Sequence, residues 1–106
     1  MKGVKLFLIL GGLTNTEIRD LKKVIQSPLY NTNRRLIYLY EALRKYHPNF
    51  PNTLAFKKKL FGKAFPSEAY DDQKLRRTFS QLREVTEQFL IYQQLNKNKF
   101  ENSFFQ

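Results

Sequence analysis

The chain has 106 residues, 19 Lys and Arg against 9 Asp and Glu, and a formal net charge of +10. A chain of this length builds a single core, and its 42% hydrophobic and 15% aromatic content sets it apart from highly charged disordered chains. With no cysteine and only His47, it excludes a disulfide framework, a thiolate metal site and a cysteine nucleophile, and leaves little for a histidine-based triad.

The amino terminus begins like a targeting segment. An apolar run from Leu6 to Leu13 follows Lys2 and Lys5, but the run is short, no small-residue cleavage site follows, and a helix start comes at once. No stretch approaches the roughly 20 apolar residues of a membrane span. We therefore expect a cytoplasmic protein without a signal peptide or membrane span.

Two helices are predicted in the first half of the chain. Residues 14–17, Thr-Asn-Thr-Glu, form a capping box, and Ser27-Pro28 ends the helix that follows, which predicts a helix over 14–26. A second helix, 32–46, begins at Asn31 or Asn33. It ends before His47-Pro48, where we expect the histidine to interact with the last carbonyls of that helix.

Two more helices are predicted in the second half. A short one, 54–61, is capped by Asn52 or Thr53 and closed by Gly62. The longest, 72–95, starts at Asp71-Asp72. Its apolar stripe, in which the two phenylalanines should be largely buried, consists of Leu75, Phe79, Leu82, Thr86, Phe89 and Leu90.

No run of alternating apolar and polar residues exceeds a few positions, so no sheet is predicted. Only residues 4–10 could be either strand or helix. The fold class predicted is an all-α, bundle-like domain of four helices, with a fifth at the amino terminus left open. We expect residues 1–96 to form this single domain. Residues 97–106 would then be a carboxyl-terminal tail or the start of a further helix.

Several short segments form a recognisable pattern: Ile-Gln-Ser-Pro-Leu-Tyr-Asn at 25–31, Leu60-Phe61, Phe65-Pro66, Tyr-Asp-Asp at 70–72, Leu75-Arg76 and Ser-Gln-Leu at 80–82. The pattern resembles a family of uncharacterised helical proteins from Bacteroidetes-type bacteria. The likeness covers residues 13–95 and matches the amino-terminal region of longer members. The chain departs from the family pattern at Leu29 and at residues 62–64. The resemblance implies a helical region, either a short member of the family or a fragment of a longer one, and no catalytic residues.

The positive charge is concentrated in the middle of the chain. Residues 31–66 contain eight Lys or Arg and only Glu41, whereas residues 67–106 are net neutral. Such a segment attracts polyanions without reading sequence, although lysines and arginines also serve simply to keep a surface soluble. The candidate polyanion-binding residues are Arg34, Arg35, Lys57, Lys58, Lys59, Lys63, Lys74 and Arg77.

The last two predicted helices resemble a helix-turn-helix. In that motif the first turns of the second helix enter the major groove, which would assign base or phosphate contacts to Lys74, Arg77 and Gln81. The long connection, the neutral charge of the second helix and the lack of a following hairpin favour simple helix packing.

Tyrosines offer a second route to nucleic acid, because their rings can stack on unpaired bases. Tyr40 and Tyr46 are expected in the core, as aromatics at helical spacing usually are, and Tyr38 is expected at the surface. Tyr92 on the long helix is a further candidate.

Nothing in the sequence converges on catalysis. Glu84 and Glu87 lie on a polar helix face, and no glycine-rich phosphate loop, metal-ligand cluster or nucleophile elbow occurs. We expect no enzyme activity, no cofactor, no metal and no small-molecule site.

The end of the long helix changes character. Ile91 and Leu95 continue its polar face as apolar residues, and Phe100 and Phe104 follow in a polar tail. Exposed apolar clusters usually mark contacts, so we expect Ile91 and Leu95 to be covered by this tail or by another chain, the alternative being a frayed terminus. The function predicted is a non-enzymatic interaction module of a larger protein or assembly. The alternative is a DNA- or RNA-binding module that uses residues 34–63 and the start of the helix 72–95.

Overall fold

The computed structural model describes the backbone of residues 3–28 and 31–105 and the side chains of residues 5–28 and 31–95. This part of the chain is all-helical and contains no strand. The five helices are α1 (Gly3–Gly11), α2 (Asn15–Gln26), α3 (Arg34–Arg44), α4 (Leu54–Ala64) and α5 (Asp72–Phe105). The all-α prediction is confirmed, and residues 4–10, which the sequence left open, are helical.

Three predicted helix starts are confirmed by their caps. The capping box is complete, because Thr14 Oγ1 accepts from the Glu17 amide at 3.1 Å and Glu17 Oε1 accepts from the Thr14 amide at 2.9 Å. Asn33, rather than Asn31, caps α3 by accepting from the Arg35 amide. Thr53 caps α4 in the same way, by accepting from the Phe56 amide.

The core is formed by one apolar face of each helix. Phe7 of α1 lies at its aromatic centre, with ring centroids 5.5 Å from Phe50, 6.0 Å from Phe56 and 5.7 Å from Phe79. Phe79 and Phe89 are 5% and 7% exposed, as the period of the long helix predicts. Offset and edge-on ring pairs of this kind stabilise a core beyond the area they bury.

Two helices are longer than predicted. Gly62 was expected to close α4, but the helix continues to Ala64 because Ala64 and Phe65 are buried in the core, at 0% and 5% exposure. That burial outweighs the cost of about 1 kcal/mol for a glycine inside a helix. α5 also runs past residue 95, so residues 97–105 extend the long helix instead of forming a separate tail or a further helix.

Two polar contacts join elements that are distant in sequence. The Tyr40 hydroxyl donates to the Ile18 carbonyl oxygen at 2.7 Å and ties α3 to α2. His47 Nε2 lies 2.7 Å from the Leu13 carbonyl oxygen and ties the end of α3 to the α1–α2 turn. The expectation that His47 would interact with the carbonyls of its own helix is therefore wrong for its ring. The chain turns back after α3, so the His47 ring lies against the turn between α1 and α2.

No helix in the described ranges is both long enough and apolar enough to cross a membrane.

Burial raises the pKa of Tyr40 well above its ordinary value; the charge of Arg44 opposes this rise and that of Glu41 adds to it. The folded state therefore keeps the Tyr40 phenol neutral. The stability that this neutral phenol contributes is complete below pH 10, near the pKa of a tyrosine in the unfolded chain, and is lost as the pH rises above that value.

Tyr40→Phe should cost about 1 kcal/mol at pH 7, the worth of a typical hydrogen bond. At pH 11 this cost should fall by about 1.4 kcal/mol, enough to reverse its sign, because only the wild type carries the phenol of residue 40, which ionises on unfolding. Urea titrations at both pH values measure this, with Tyr38→Phe as the control, since Tyr38 is 48% exposed. An unchanged difference between the two pH values contradicts the prediction.

Candidate nucleic-acid interface

A groove of about 400 Å³ runs between α3 and α4 on the outer side of the molecule. Its size lies in the range of pockets that hold small ligands or parts of larger ones. Its lining combines cationic, aromatic and small apolar side chains: Tyr38, Glu41, Ala42, Lys45, Tyr46, Lys59, Leu60 and Lys63.

Helical periodicity explains why these residues share one surface. Tyr38, Ala42 and Lys45 stand at i, i+4 and i+7 on α3 and just beyond it, so they follow one line along the helix, opposite its buried face. Lys59 and Lys63 stand at i and i+4 on α4, next to the buried Leu60, which also lines the groove. The packing of α3 beside α4 places the two lines on either side of the groove.

The charge of the groove is positive. Its single carboxylate, Glu41, is held by Lys22 at 3.2 Å and by Arg44 at 3.6 Å. Among the described residues, none of the ion pairs includes Lys45, Lys59 or Lys63. Three lysines therefore line one groove without an ion-pair partner, and their positive charge attracts a polyanion.

Lys57 does not belong to this surface. It was predicted as a polyanion-binding residue with its neighbours Lys58 and Lys59, but it is only 9% exposed. The reason is its register, because Lys57, Phe61 and Ala64 stand at i, i+4 and i+7 and share the buried face of α4. Of the three consecutive lysines, Lys58 and Lys59 are exposed.

Two other predicted cations are exposed but make contacts within the molecule. Arg35 donates to the Ala64 carbonyl oxygen at 3.1 Å, and its guanidinium lies 4.4 Å from the centroid of the Phe65 ring. Lys74 approaches the same ring, with Nζ 5.3 Å from the centroid. Glu68 pairs with both cations. This cluster fixes the connection between α4 and α5, and it neutralises part of the charge that the sequence assigned to the binding surface.

The geometry gives little support to a helix-turn-helix. The connection between α4 and α5 covers residues 65–71, longer than the usual turn of that motif. Lys74 is held by Glu68, and Gln81 accepts a hydrogen bond from Asn33 Nδ2 at 3.0 Å. Of the three residues predicted to read a duplex, only Arg77 has no partner among the described residues.

Arg34 and Lys58 remain exposed beside the groove residues in sequence. Arg34 has no partner in the described ranges, and Lys58 Nζ lies 5.9 Å from the centroid of the Tyr70 ring. With Lys59 and Lys63, they are the predicted cations of segment 34–63 that stay available to a ligand.

The predicted partner patch is exposed. Ile91 and Leu95 are 61% and 62% exposed, and Tyr92 between them is 54% exposed. The expectation that the tail folds back over them is wrong, because the backbone continues as one helix to Phe105 and so leads away. Phe100 and Phe104 belong to this helix, but their side chains lie outside the described residues.

Sequence reasoning missed the groove itself and the roles of Lys45 and Tyr46 in it. Tyr46 was assigned to the core, yet it is half-buried and lines the groove. The Tyr38, Ala42, Lys45 spacing was a usable signal for the α3 side. Nothing in the sequence, however, places that line opposite Lys59 and Lys63, because the pairing of α3 with α4 is a tertiary contact.

A second depression, of about 280 Å³, is more open and carries no charged residue; it is lined by Phe7, Leu8, Pro48, Asn49, Phe50 and Asn52.

Within the described part of the chain, no three His, Cys, Asp or Glu side chains gather as a metal site would require.

A comparison with protein-family models, with curated proteins and with solved structures finds no match to this chain.

Neighbouring arginines test the division between structural and free cations. Arg35→Ala should destabilise the fold by about 1–2 kcal/mol, since it removes a hydrogen bond to a helix-end carbonyl and a cation–π contact. Arg34→Ala, one position away and without a partner in the described residues, should stay within about 0.5 kcal/mol of wild type. Urea unfolding compares the two, and equal losses would show that the Phe65 cluster contributes nothing.

Proposed function

We propose that this protein is a non-enzymatic binding module whose α3–α4 groove binds the phosphate backbone of nucleic acid. The observation that supports this most directly is the set of three lysines, Lys45, Lys59 and Lys63, gathered around one concave surface without a carboxylate partner in the described chain. A solubilising surface needs no such gathering, because its charges are best mixed in sign and spread out.

The proposal replaces the sequence preference for a protein partner with the nucleic-acid alternative, in a modified form. The binding surface is the α3–α4 groove with Arg34 and Lys58 nearby, and neither Lys57 nor the start of α5 is assigned to it. The cysteine-free composition is consistent with a cytoplasmic location. The resemblance to the Bacteroidetes-type helical family also stays a proposal, and it suggests that the module serves a larger protein.

Salt dependence tests the proposal, because each phosphate contact releases counterions. Binding of a labelled single-stranded oligonucleotide should be detectable at about 50 mM salt and weaken steeply as salt rises. Replacing Lys45, Lys59 and Lys63 with Gln should reduce the log–log salt slope by up to about 2.1, at roughly 0.7 per contact on a single strand.

The matched control replaces Lys5, Arg19 and Lys23, which are exposed and lie outside the groove, with Gln. It removes the same charge from the protein, but from outside the groove. It should therefore lower the salt slope much less than the groove variant does. No detectable binding by the wild type at low salt, to the single strand or to a duplex of the same length, would remove the proposal. Equal losses in the two triple variants would replace the groove with diffuse charge.

A second function, binding of a protein partner, is favoured by the exposure of Ile91, Tyr92 and Leu95 on one stretch of α5. An apolar strip of this kind loses about 25 cal/mol for each Å² left in water, and a contact recovers it.

If this strip pairs two copies of the chain, light scattering should show a dimer that becomes a monomer in Ile91→Glu. Gln73→Glu adds the same negative charge to the same helix at an exposed position about 27 Å along the axis from Ile91 and should leave the dimer intact. A wild type that stays monomeric at every concentration rules out self-association through this strip.

A further inference from the structure

The groove contains two aromatic rings that attraction of phosphates alone does not require. Tyr46 is held in place, since its ring meets Phe56 edge-on at a centroid distance of 4.7 Å and Lys59 Nζ lies 5.7 Å from its centroid. Tyr38 is different. It is 48% exposed, and among the described residues it has no ring, cation or hydrogen-bond partner.

An unpartnered ring beside free ammonium groups is the combination that binds unpaired bases. Aromatic side chains take up bases by stacking, whatever the base, while nearby cations hold the backbone. At the α4–α5 connection, by contrast, Arg35 and Lys74 lie over the Phe65 ring and both pair with Glu68. In the groove, the ring of Tyr38 and the ammonium of Lys45 have no such internal use.

The dimensions set the length of strand that fits. From Tyr38 to Lys45 the surface of α3 extends about 10 Å, at 1.5 Å per residue. At a stacked spacing of about 3.4 Å per nucleotide, this length accommodates two or three nucleotides. A volume of about 400 Å³ leaves room for a base beside the small side chain of Ala42.

A duplex does not satisfy these features. Its bases are stacked on each other, so a ring on a helix surface cannot reach a base face unless the base is unpaired. Its phosphates alone would engage Lys45, Lys59 and Lys63, and Tyr38 would have no role.

We infer that the α3–α4 groove binds single-stranded nucleic acid, with one base stacked on Tyr38 and the adjoining phosphates held by Lys45, Lys59 and Lys63. This inference rests on the proposed function and adds to it the strandedness of the ligand and the residue that recognises it. Lys59 contacts phosphate from its position over the Tyr46 ring, so Tyr46 acts by positioning the lysine.

The test uses two single-stranded probes of equal length and charge, a ten-nucleotide oligothymidylate and its abasic counterpart, which lacks the bases. Wild type should bind the oligothymidylate at least about fivefold more tightly, since one stacked base is worth 1 kcal/mol or more. Tyr38→Ala should abolish that preference, leave the affinity for the abasic strand unchanged and keep the salt slope. Tyr38→Phe, which retains a ring, should keep the preference.

Leu54→Ala is the control, because Leu54 is 57% exposed and lies on α4 outside the groove. It should bind both strands as the wild type does. Equal affinity of the wild type for the two strands, or a preference that survives Tyr38→Ala, overturns the stacking inference while the lysine-dependent binding stands. Failure of the wild type to bind either single strand overturns the stacking inference, and failure to bind a duplex of the same length as well overturns the proposed function.

Discussion

The burial of one apolar face on each of α3 and α4 is the constraint on which the described surface depends. Leu39, Leu43, Leu60 and Phe61 are nearly or completely buried, so the rotation of both helices about their axes is fixed. Once both rotations are fixed, Tyr38, Ala42 and Lys45 lie on one side of the groove, and Lys59 and Lys63 lie on the other. A one-position change in the register of either helix would cost several core contacts and would also separate the groove lysines. The same packing that stabilises the fold therefore assembles the candidate site.

The distribution of carboxylates decides which cations remain available to a ligand. Glu41 pairs with Lys22 and Arg44, and Glu68 pairs with Arg35 and Lys74, so each carboxylate offsets one of the two positive charges beside it and holds both cations in contacts within the molecule. Exposed pairs of this kind contribute little energy each, but they remove positive charge from particular places. Three of the cations without an ion pair, Lys45, Lys59 and Lys63, line the α3–α4 groove. The net charge of +10 is thus less informative than its arrangement, since only cations without a nearby carboxylate attract phosphate strongly.

Local signals were readable in the sequence, and tertiary ones were not. The capping box at Thr14 and the stripe containing Phe79 depend on spacings of three and four residues, which a helix converts directly into contacts. The helix end predicted at Gly62 is wrong because the free energy gained by burying Ala64 and Phe65 exceeds the cost of a glycine inside the helix. Lys57 misled because three consecutive lysines were read as one surface, although a helix turns by 100° at each residue. The groove could not be predicted, because no spacing within α3 or α4 indicates that the two helices pack together.

The most direct test of the account is to map, residue by residue, where a single strand touches the protein. In a titration of uniformly ¹⁵N-labelled protein with the oligothymidylate, followed by amide chemical shifts, the largest changes should fall at Tyr38, Ala42 and Lys45 on one side of the groove and at Lys59 and Lys63 on the other. Amides of α2 and those around Ile91 should change little. Shifts confined to the start of α5, or spread evenly over all exposed lysines, would contradict the claim that the α3–α4 groove is the binding site.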